Sequence, residues 1–417
     1  MSSIRKLTIE ELDHFIRIDT NAYPGVVTHS PEVQMKLKQQ IQNTQLHDPQ
    51  ADYYGLFRNE KVVGGMRIHH FTMNFCSQLI EVGGVGSIAV DLLHKKEGVA
   101  KELIQYFISY FRERRVPIVM LYPFRLDFYK RMGFGYGTKM NQFKINPASF
   151  LKNLGNKEVQ YLTEEDKKDV LDCYNRYAEI QHGMCLRTDS EADTLFKNPN
   201  VLYVGLKKDN KIEGYLSFSF KKKSDTNFLL NDLIVKEFIY ETSEAKQQLV
   251  GFLHNQFDQI NRVIVNTQDE FFHYSITDPT NGSNHLIPSC YHETHTTGLG
   301  IMYRIIDVAG LFETLNNHNF NDISYSVKIT VEDSFVPENS GSVVVDFEQG
   351  YAQIVEDSVP NAEIKLDVSD FSSLVMGAVN AKALYQQGLL TITKPEDIGI
   401  INRLFLTDDK PICMTAF

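Results

Sequence analysis

The stretch Ile88-Ala89-Val90-Asp91-Leu92-Leu93-His94-Lys95-Lys96-Glu97-Gly98-Val99-Ala100 constrains the fold of this chain more than any other. It reads as a buried strand, a short loop with two lysines and one glycine, and the start of a helix. That helix repeats apolar residues at Val99, Leu103, Phe107 and Phe111, leaving Lys101, Glu102 and Arg112 to face water. A loop that brings glycine to a helix N-terminus gathers main-chain N–H groups that lack intrahelical partners. It can therefore seat a phosphate or pyrophosphate. Gly98 has no Cβ to hold the anion off.

Two further segments follow in order. Val116-Pro117-Ile118-Val119-Met120-Leu121-Tyr122 is an apolar run short enough for a buried strand. Phe128-Tyr129-Lys130-Arg131-Met132-Gly133-Phe134 comes next. The basic-x-x-Gly-x-Ala spacing at Lys95 to Ala100, followed by Phe-Tyr-x-x-x-Gly-Phe, resembles the coenzyme A loop and closing segment of the GNAT acyltransferases. The resemblance implies acetyl-CoA as cosubstrate. It places main-chain N–H groups of Ile88, Ala89 and Val90 on the pantetheine and the developing oxyanion. Lys95, Lys96, Glu97, Gly98, Val99, Ala100 and Lys101 would surround the pyrophosphate, with Phe124 and Arg125 as a further contact.

The 417 residues are too many for one core. With 42% apolar and 23% charged residues, the composition is that of a globular protein. A formal net charge of −11 argues against nucleic acid or an acidic membrane as main partner. The five cysteines have no paired spacing, which suits a reducing compartment and speaks against a cysteine-rich metal site. The first residues lack the apolar core of a signal peptide, and no run approaches the roughly 18 apolar residues of a membrane helix. A cytoplasmic protein without a metal is expected.

A hairpin repeats within the chain. Gly55-Leu56-Phe57-Arg58-Asn59-Glu60-Lys61-Val62-Val63-Gly64 returns as Gly205-Leu206-Lys207-Lys208-Asp209-Asn210-Lys211-Ile212-Glu213-Gly214, with turn dipeptides at Asn59-Glu60 and Asp209-Asn210. The second copy offers a strand at Asp232-Leu233-Ile234-Val235 and a helix carrying Leu249, Phe252, Leu253 and Phe257. The segment Lys236 to Lys246 between them, read as a loop, contains no glycine. This is a duplicated domain whose second copy has lost coenzyme A binding. Further on, alternation at Ile323 to Val331, Val343 to Phe347 and Ile364 to Val368 indicates half-buried strands. Helices at Phe371 to Val379 and Ala381 to Tyr385 complete an α+β domain that resembles the sterol carrier protein fold. The expected fold class is α+β / α/β: tandem GNAT acyltransferase domains, the second degenerate, and a C-terminal sterol-carrier-protein-like α+β domain. The expected boundaries are 1–150 for the catalytic domain, 151–295 for the degenerate copy and 296–417 for the last.

This organisation, with Met302-Tyr303-Arg304-Ile305-Ile306-Asp307-Val308 and the final Pro411-Ile412-Cys413-Met414-Thr415-Ala416-Phe417, resembles the Eis (enhanced intracellular survival) family of N-acetyltransferases. The resemblance implies acetyl transfer to primary amines of aminoglycoside-like, polyamine-like or lysine substrates, and assembly as a hexamer. It makes Tyr129 the general acid, since a phenol near ~10 can hold a proton for a thiolate near ~8.5. It makes the terminal carboxylate of Phe417 the base. A free α-carboxylate near ~3.5 needs burial, a bridging water or an acidified amine for that task. Asp19 sits where acyltransferases line the acceptor cleft, as a partner for a cationic amine. A ligand-binding protein, using the sterol-carrier-like domain and a coenzyme A-sensing first domain, is the alternative; a pure carrier needs neither Gly98 nor Tyr129.

Other polar residues carry less. His69 and His70 point to opposite faces of a strand, which suits core and surface rather than catalysis. His94 lies in the loop, where it would touch solvent or phosphate. His292 and His295 share a face only on a helix, which Pro288 disfavours, so a metal pair is not expected. Lys95 lacks the fork of an arginine. Glu97 places a carboxylate beside the expected pyrophosphate, which weakens binding unless its side chain turns away.

Overall fold

The repeated hairpin forms as its turn residues demand. Ala51–Arg58 pairs antiparallel with Lys61–Phe75 around Asn59 and Glu60, both at positive φ (48° and 65°). That left-handed geometry matches the twist of the two strands. In the copy, Leu202–Lys208 pairs with Lys211–Lys222 and Asp209 has φ 48°; Asn210 lies outside the described residues. The computed structural model describes residues 2–25, 31–152, 158–209, 211–356 and 358–417. They form two units, one of Met1–Gly137, Ile301–Pro411 and Thr415–Phe417, the other of Thr138–Gly300 and Ile412–Met414.

The first unit holds a seven-stranded sheet in the order Ser2–Lys6, Ala51–Arg58, Lys61–Phe75, Gln78–Val90, Ile118–Leu121, Met302–Ile305, Gly135–Tyr136. Gln78–Val90 and Ile118–Leu121 are parallel and joined by the helix Val99–Arg112. The expected stripe is the core: Val99, Leu103, Phe107 and Phe111 are at most 1% exposed and pack with Leu56, Met66, Val85 and Val119. A second sheet of this unit has five strands: Tyr351–Val355, Gly341–Glu348, Tyr325–Glu332, Ala362–Asp367 and Leu390–Ile392. Its helix Val368–Val375 docks on the first sheet, where Ser372 Oγ accepts from the Ile305 amide at 2.9 Å. Gly135 permits this seat, because a Cβ there would lie 2.1 Å from the Ser369 carbonyl oxygen.

The second unit repeats the strand order: Val159–Leu162, Leu202–Lys208, Lys211–Lys222, Asn231–Tyr240, Ile260–Thr267, Met140–Ile145, His295–Gly298. In both sheets the strand beside the parallel pair comes from a distant part of the chain. Met140–Ile145, inside the segment 1–150, pairs in the second unit, and Met302–Ile305, inside 296–417, pairs in the first. Two details correct the sequence reading. Residues 236–240 are strand, not loop, because Glu237, Phe238, Ile239 and Tyr240 pair with the ladder of Lys211–Lys222. The following helix, Ser243–His254, ends before Phe257, which is 58% exposed and has no core to cover. Among the described residues no helix is long and apolar enough to cross a membrane.

One buried ion pair joins the two sheets of the first unit. Arg304 Nη2 donates to Asp333 Oδ2 at 2.6 Å with neither side chain exposed, and Arg304 Nη1 donates to the Met132 carbonyl at 2.6 Å. Asp333 also accepts from the Phe335 and Val336 amides and from Asn339. Removing one partner strands the other charge in a dry core. Asp333→Ala is expected to destabilise the first unit by about 3–5 kcal/mol, measured by urea denaturation.

Candidate active site

The site begins where two parallel strands part. Gly83, Gly84 and Val85 face Val119, Met120 and Leu121, and the pairing stops there, although the strand Gln78–Val90 runs on to Val90. Ser87, at φ 46°, and a register shift between Gly65 and Arg67 on the neighbouring strand mark the bend. Among the described residues no strand pairs with 86–90 on the diverging side. Main-chain groups in such a gap need a partner, which an extended ligand with its own amides can supply.

A cavity of about 670 Å³ continues from this gap. Ile88 and Val90 line it from the strand, and His94, Lys95 and Lys96 from the loop. Gly98, Val99, Ala100 and Lys101 contribute the helix start, and Phe124 and Arg125 the segment after the second strand. Gly98 caps the helix at φ +83°, and a Cβ placed on it would meet no protein atom within 4 Å, so its open side faces free space. The first amides of Val99–Arg112, without intrahelical partners, form the positive end of the helix. Of the expected cofactor residues, Ala89 and Glu97 do not line the cavity. Ala89 is fully buried. Glu97 accepts from Arg58 Nη1 at 2.6 Å and lies 3.0 Å from His94 Nδ1. Arg58 holds that carboxylate away from the cavity lining, while its Nη2 pairs with Glu102 at 2.6 Å, so one guanidinium serves two carboxylates.

Tyr129 stands on the short helix Leu126–Lys130, 2% exposed, edge-on to Phe124, Phe128 and Phe134. Phe124 and Phe128 line the cavity; Tyr129, packed against both, is not among its lining residues, but its phenol feels Tyr23, which is. Burial, with a smaller contribution from Tyr23, pushes its phenol well above the usual range. Two grips hold this segment: Lys130 pairs with Asp370 of the helix Val368–Val375, and Arg304, on the strand Met302–Ile305 of the first sheet, holds the Met132 carbonyl. Tyr23 went unnoticed in the sequence. It lines the cavity, donates to the Ile88 carbonyl at 2.8 Å, and is pushed up to about 12 by burial and by Asp19. Its only signal was a place four residues after Asp19, one turn along the helix Leu12–Ala22.

Phe417 belongs to the first unit. Its ring packs against His69, Phe71 and Tyr122 at centroid distances of 5.5, 5.0 and 5.3 Å. Its carboxyl carbon lies against Gly86, where an added Cβ would come within 2.8 Å of it. Gly86 and Tyr122 are the residues at which the parallel strands separate. The last residue therefore sits at the opening of the gap. Asp19 is 8% exposed, its Oδ1 is buried without a hydrogen-bond partner among the described residues, and burial pushes the carboxyl up to about 6.

The second unit shares the parting of its parallel strands, whose pairing ends at Ile234 and Ile264 although the first of them runs on to Tyr240, but not the loop. The strand Asn231–Tyr240 is followed by only Glu241 and Thr242 before the helix Ser243–His254, so the phosphate loop is absent and not merely short of glycine. Beside its own register shift, between Ser217 and Phe218, Glu237 is ion-paired with Arg187 and accepts from Tyr215 at 2.7 Å. His292 and His295 lie on short exposed strands, and among the described residues no group of three His, Cys, Asp or Glu could hold a metal ion.

The sequence matches the family model of an acetyltransferase (GNAT) domain over residues 3–137, another such model over 176–305, and that of a sterol carrier protein domain over 311–414. Comparison with curated protein sequences finds no match. Among solved structures, a GCN5-related N-acetyltransferase from Anabaena variabilis is similar with a TM-score of 0.80 at 16% identity, over 100% of both chains. A probable N-acyltransferase from Enterococcus faecalis and Eis1 from Mycobacterium abscessus each give 0.77 at 18% identity, also over 100% of both chains. These likenesses are of fold.

The buried carboxyl of Asp19 has a measurable signature. Its folded pKa of about 6 exceeds the unfolded value near ~3.9, so between these values the folded state holds more protons and stability falls as pH rises. Asp19→Asn is expected to remove this slope and to stabilise the protein at about pH 7 by about 1–2 kcal/mol. Urea denaturation at about pH 4 and about pH 7 measures both effects.

Proposed function

We propose that this chain, whose sequence matches two acetyltransferase domains and a sterol carrier protein domain, is an Eis-like GNAT acyltransferase with acetyl-CoA as cosubstrate. We propose that it acetylates primary amines of cationic substrates. One observation carries the choice: the gap beyond Val85 and Leu121 opens beside the Gly98-capped helix, and the carboxyl of Phe417 lies at its mouth. A basic loop, unpaired main chain and a proton acceptor then follow one another in a single unit.

In this mechanism Lys95, Lys96, Lys101 and the amides after Gly98 hold the pyrophosphate, with Arg125 nearby. The main chain of 88–90 orients the pantetheine and polarises the thioester carbonyl. Asp19 attracts the cationic acceptor, and the Phe417 carboxylate takes a proton from the amine as its nitrogen bonds to the carbonyl carbon. The C–S bond then breaks, and Tyr129 returns a proton to the sulfur. Burial keeps the Tyr129 phenol protonated, the form that can donate. The same dry surroundings raise the proton affinity of the thiolate, so the transfer is less uphill than the values in water suggest. Homo-oligomeric assembly, a hexamer by family likeness, and a cytoplasmic location belong to the same proposal.

The test is release of free thiol from acetyl-CoA with kanamycin, spermidine and a lysine peptide as acceptors. Wild type is expected to release thiol with at least one, and silence across that range contradicts the proposal. Tyr129→Phe is expected to lower kcat by about 10²–10⁴ with little change in KM for acetyl-CoA. Asp19→Asn should raise the KM of the amine while leaving that of acetyl-CoA unchanged.

A further inference from the structure

His69 is a buried imidazole that the mechanism so far leaves unused. It stands on the strand Lys61–Phe75 between Arg67 and Phe71, which alternation places on the same face. The ring is 5% exposed, lies parallel to Phe71 with centroids 5.1 Å apart, and meets the edge of the Phe417 ring. Its Nε2 is buried and has no hydrogen-bond partner among the described residues. Leaving such a nitrogen unsatisfied costs free energy, and a packed core would more readily hold phenylalanine here.

The surroundings of that nitrogen identify what it serves. A Cβ built on Gly86 would lie 2.8 Å from the Phe417 carboxyl carbon and 3.7 Å from His69 Nε2. Both groups thus border one small space above Gly86, at the mouth of the gap. Burial, reinforced by Arg67 and His70, holds the imidazole well below its ordinary value, so it is neutral and carries one ring N–H. A carboxylate can only accept. The nitrogen that faces it must then be the donor, which selects the Nε2–H tautomer. Phe71 and Phe417 fix the plane of the ring, so the donor has a defined direction.

We infer that His69 is a positioning residue: its Nε2–H donates to the Phe417 carboxylate, directly or through one water, and turns that group toward the acceptor amine. This inference rests on the proposal that the Phe417 carboxylate accepts the proton. A neutral imidazole suits the part, because a charged one would repel a cationic acceptor.

Two substitutions and one extension test it, in the full chain, with the fastest acceptor of the amine panel. His69→Phe keeps the ring packing and removes the donor, and His69→Gln keeps a side-chain N–H. The extension adds one glycine after Phe417 and displaces the carboxylate. His69→Phe is expected to lower kcat about ten- to a hundredfold, the loss of one hydrogen bond to a charged group, with KM for acetyl-CoA unchanged. His69→Gln should retain more activity than His69→Phe. In the extended chain, already slow, His69→Phe should cost nothing further. If His69→Phe is as active as wild type, or costs the same factor in the extended chain, the inference is wrong and the proposed base stands. If the extended chain is fully active, the base itself is wrong, and the inference falls with it.

Discussion

A parallel pair of strands that stops pairing halfway is the constraint on which the site depends. Beyond Val85 and Leu121 the sheet of the first unit keeps its strand but loses its neighbour. Interior main-chain groups without partners are costly, so the gap is stable only if something else satisfies them. Several local features follow from it. Ser87 takes a left-handed φ of 46° to turn the strand, and Tyr23 satisfies the Ile88 carbonyl. Gly86 stays without a side chain because the last residue of the chain lies against it. The helix that starts at Gly98 then presents its positive end to the same cavity.

The duplicated unit keeps the parting of the strands and loses the loop. Its sheet has the same order, the same kind of register shift and a parallel pair that ends at Ile234 and Ile264, but the strand turns into a helix two residues after Tyr240. Beside that shift Glu237 is paired with Arg187 and accepts from Tyr215. A buried ion pair of this kind contributes little net stability, but it fixes the local geometry. The two copies therefore share a frame, the parting strands included, and differ in the loop between strand and helix, eight residues in the first and two in the second. In the first unit the five-stranded domain braces the segment that carries Tyr129: Asp370 pairs with Lys130, and Asp333 holds Arg304, which donates to the Met132 carbonyl.

Local features were legible in the sequence because local forces decide them. The four-residue stripe of Val99 to Phe111, the Asn59-Glu60 turn and the left-handed Gly98 each follow from neighbours a few positions away. Features set by distant parts of the chain were not. Nothing in Met140–Ile145 says that it pairs with Ile260–Thr267, or in Met302–Ile305 that it pairs with Ile118–Leu121. The run 236–240 read as loop because its lysine and glutamate hid an alternation that only the opposite strand reveals. Tyr23 and His69 escaped for the same reason: the first acts through a carbonyl far along the chain, and the second through the chain's last residue. His69 was correctly expected to face away from His70, but its face is the one that meets Phe417.

The central claim is that amides at a glycine-capped helix, beside a gap in the sheet, hold a coenzyme A pyrophosphate in the first unit alone. Titration calorimetry of coenzyme A into wild type and Gly98→Val tests it most directly. Valine is strained at φ +83° and its side chain occupies the open side of that position. The account predicts one site per chain in wild type and at least about a tenfold loss of affinity in the variant, with the protein still folded. Equal affinity in the two proteins, or no heat of binding in wild type, would contradict it.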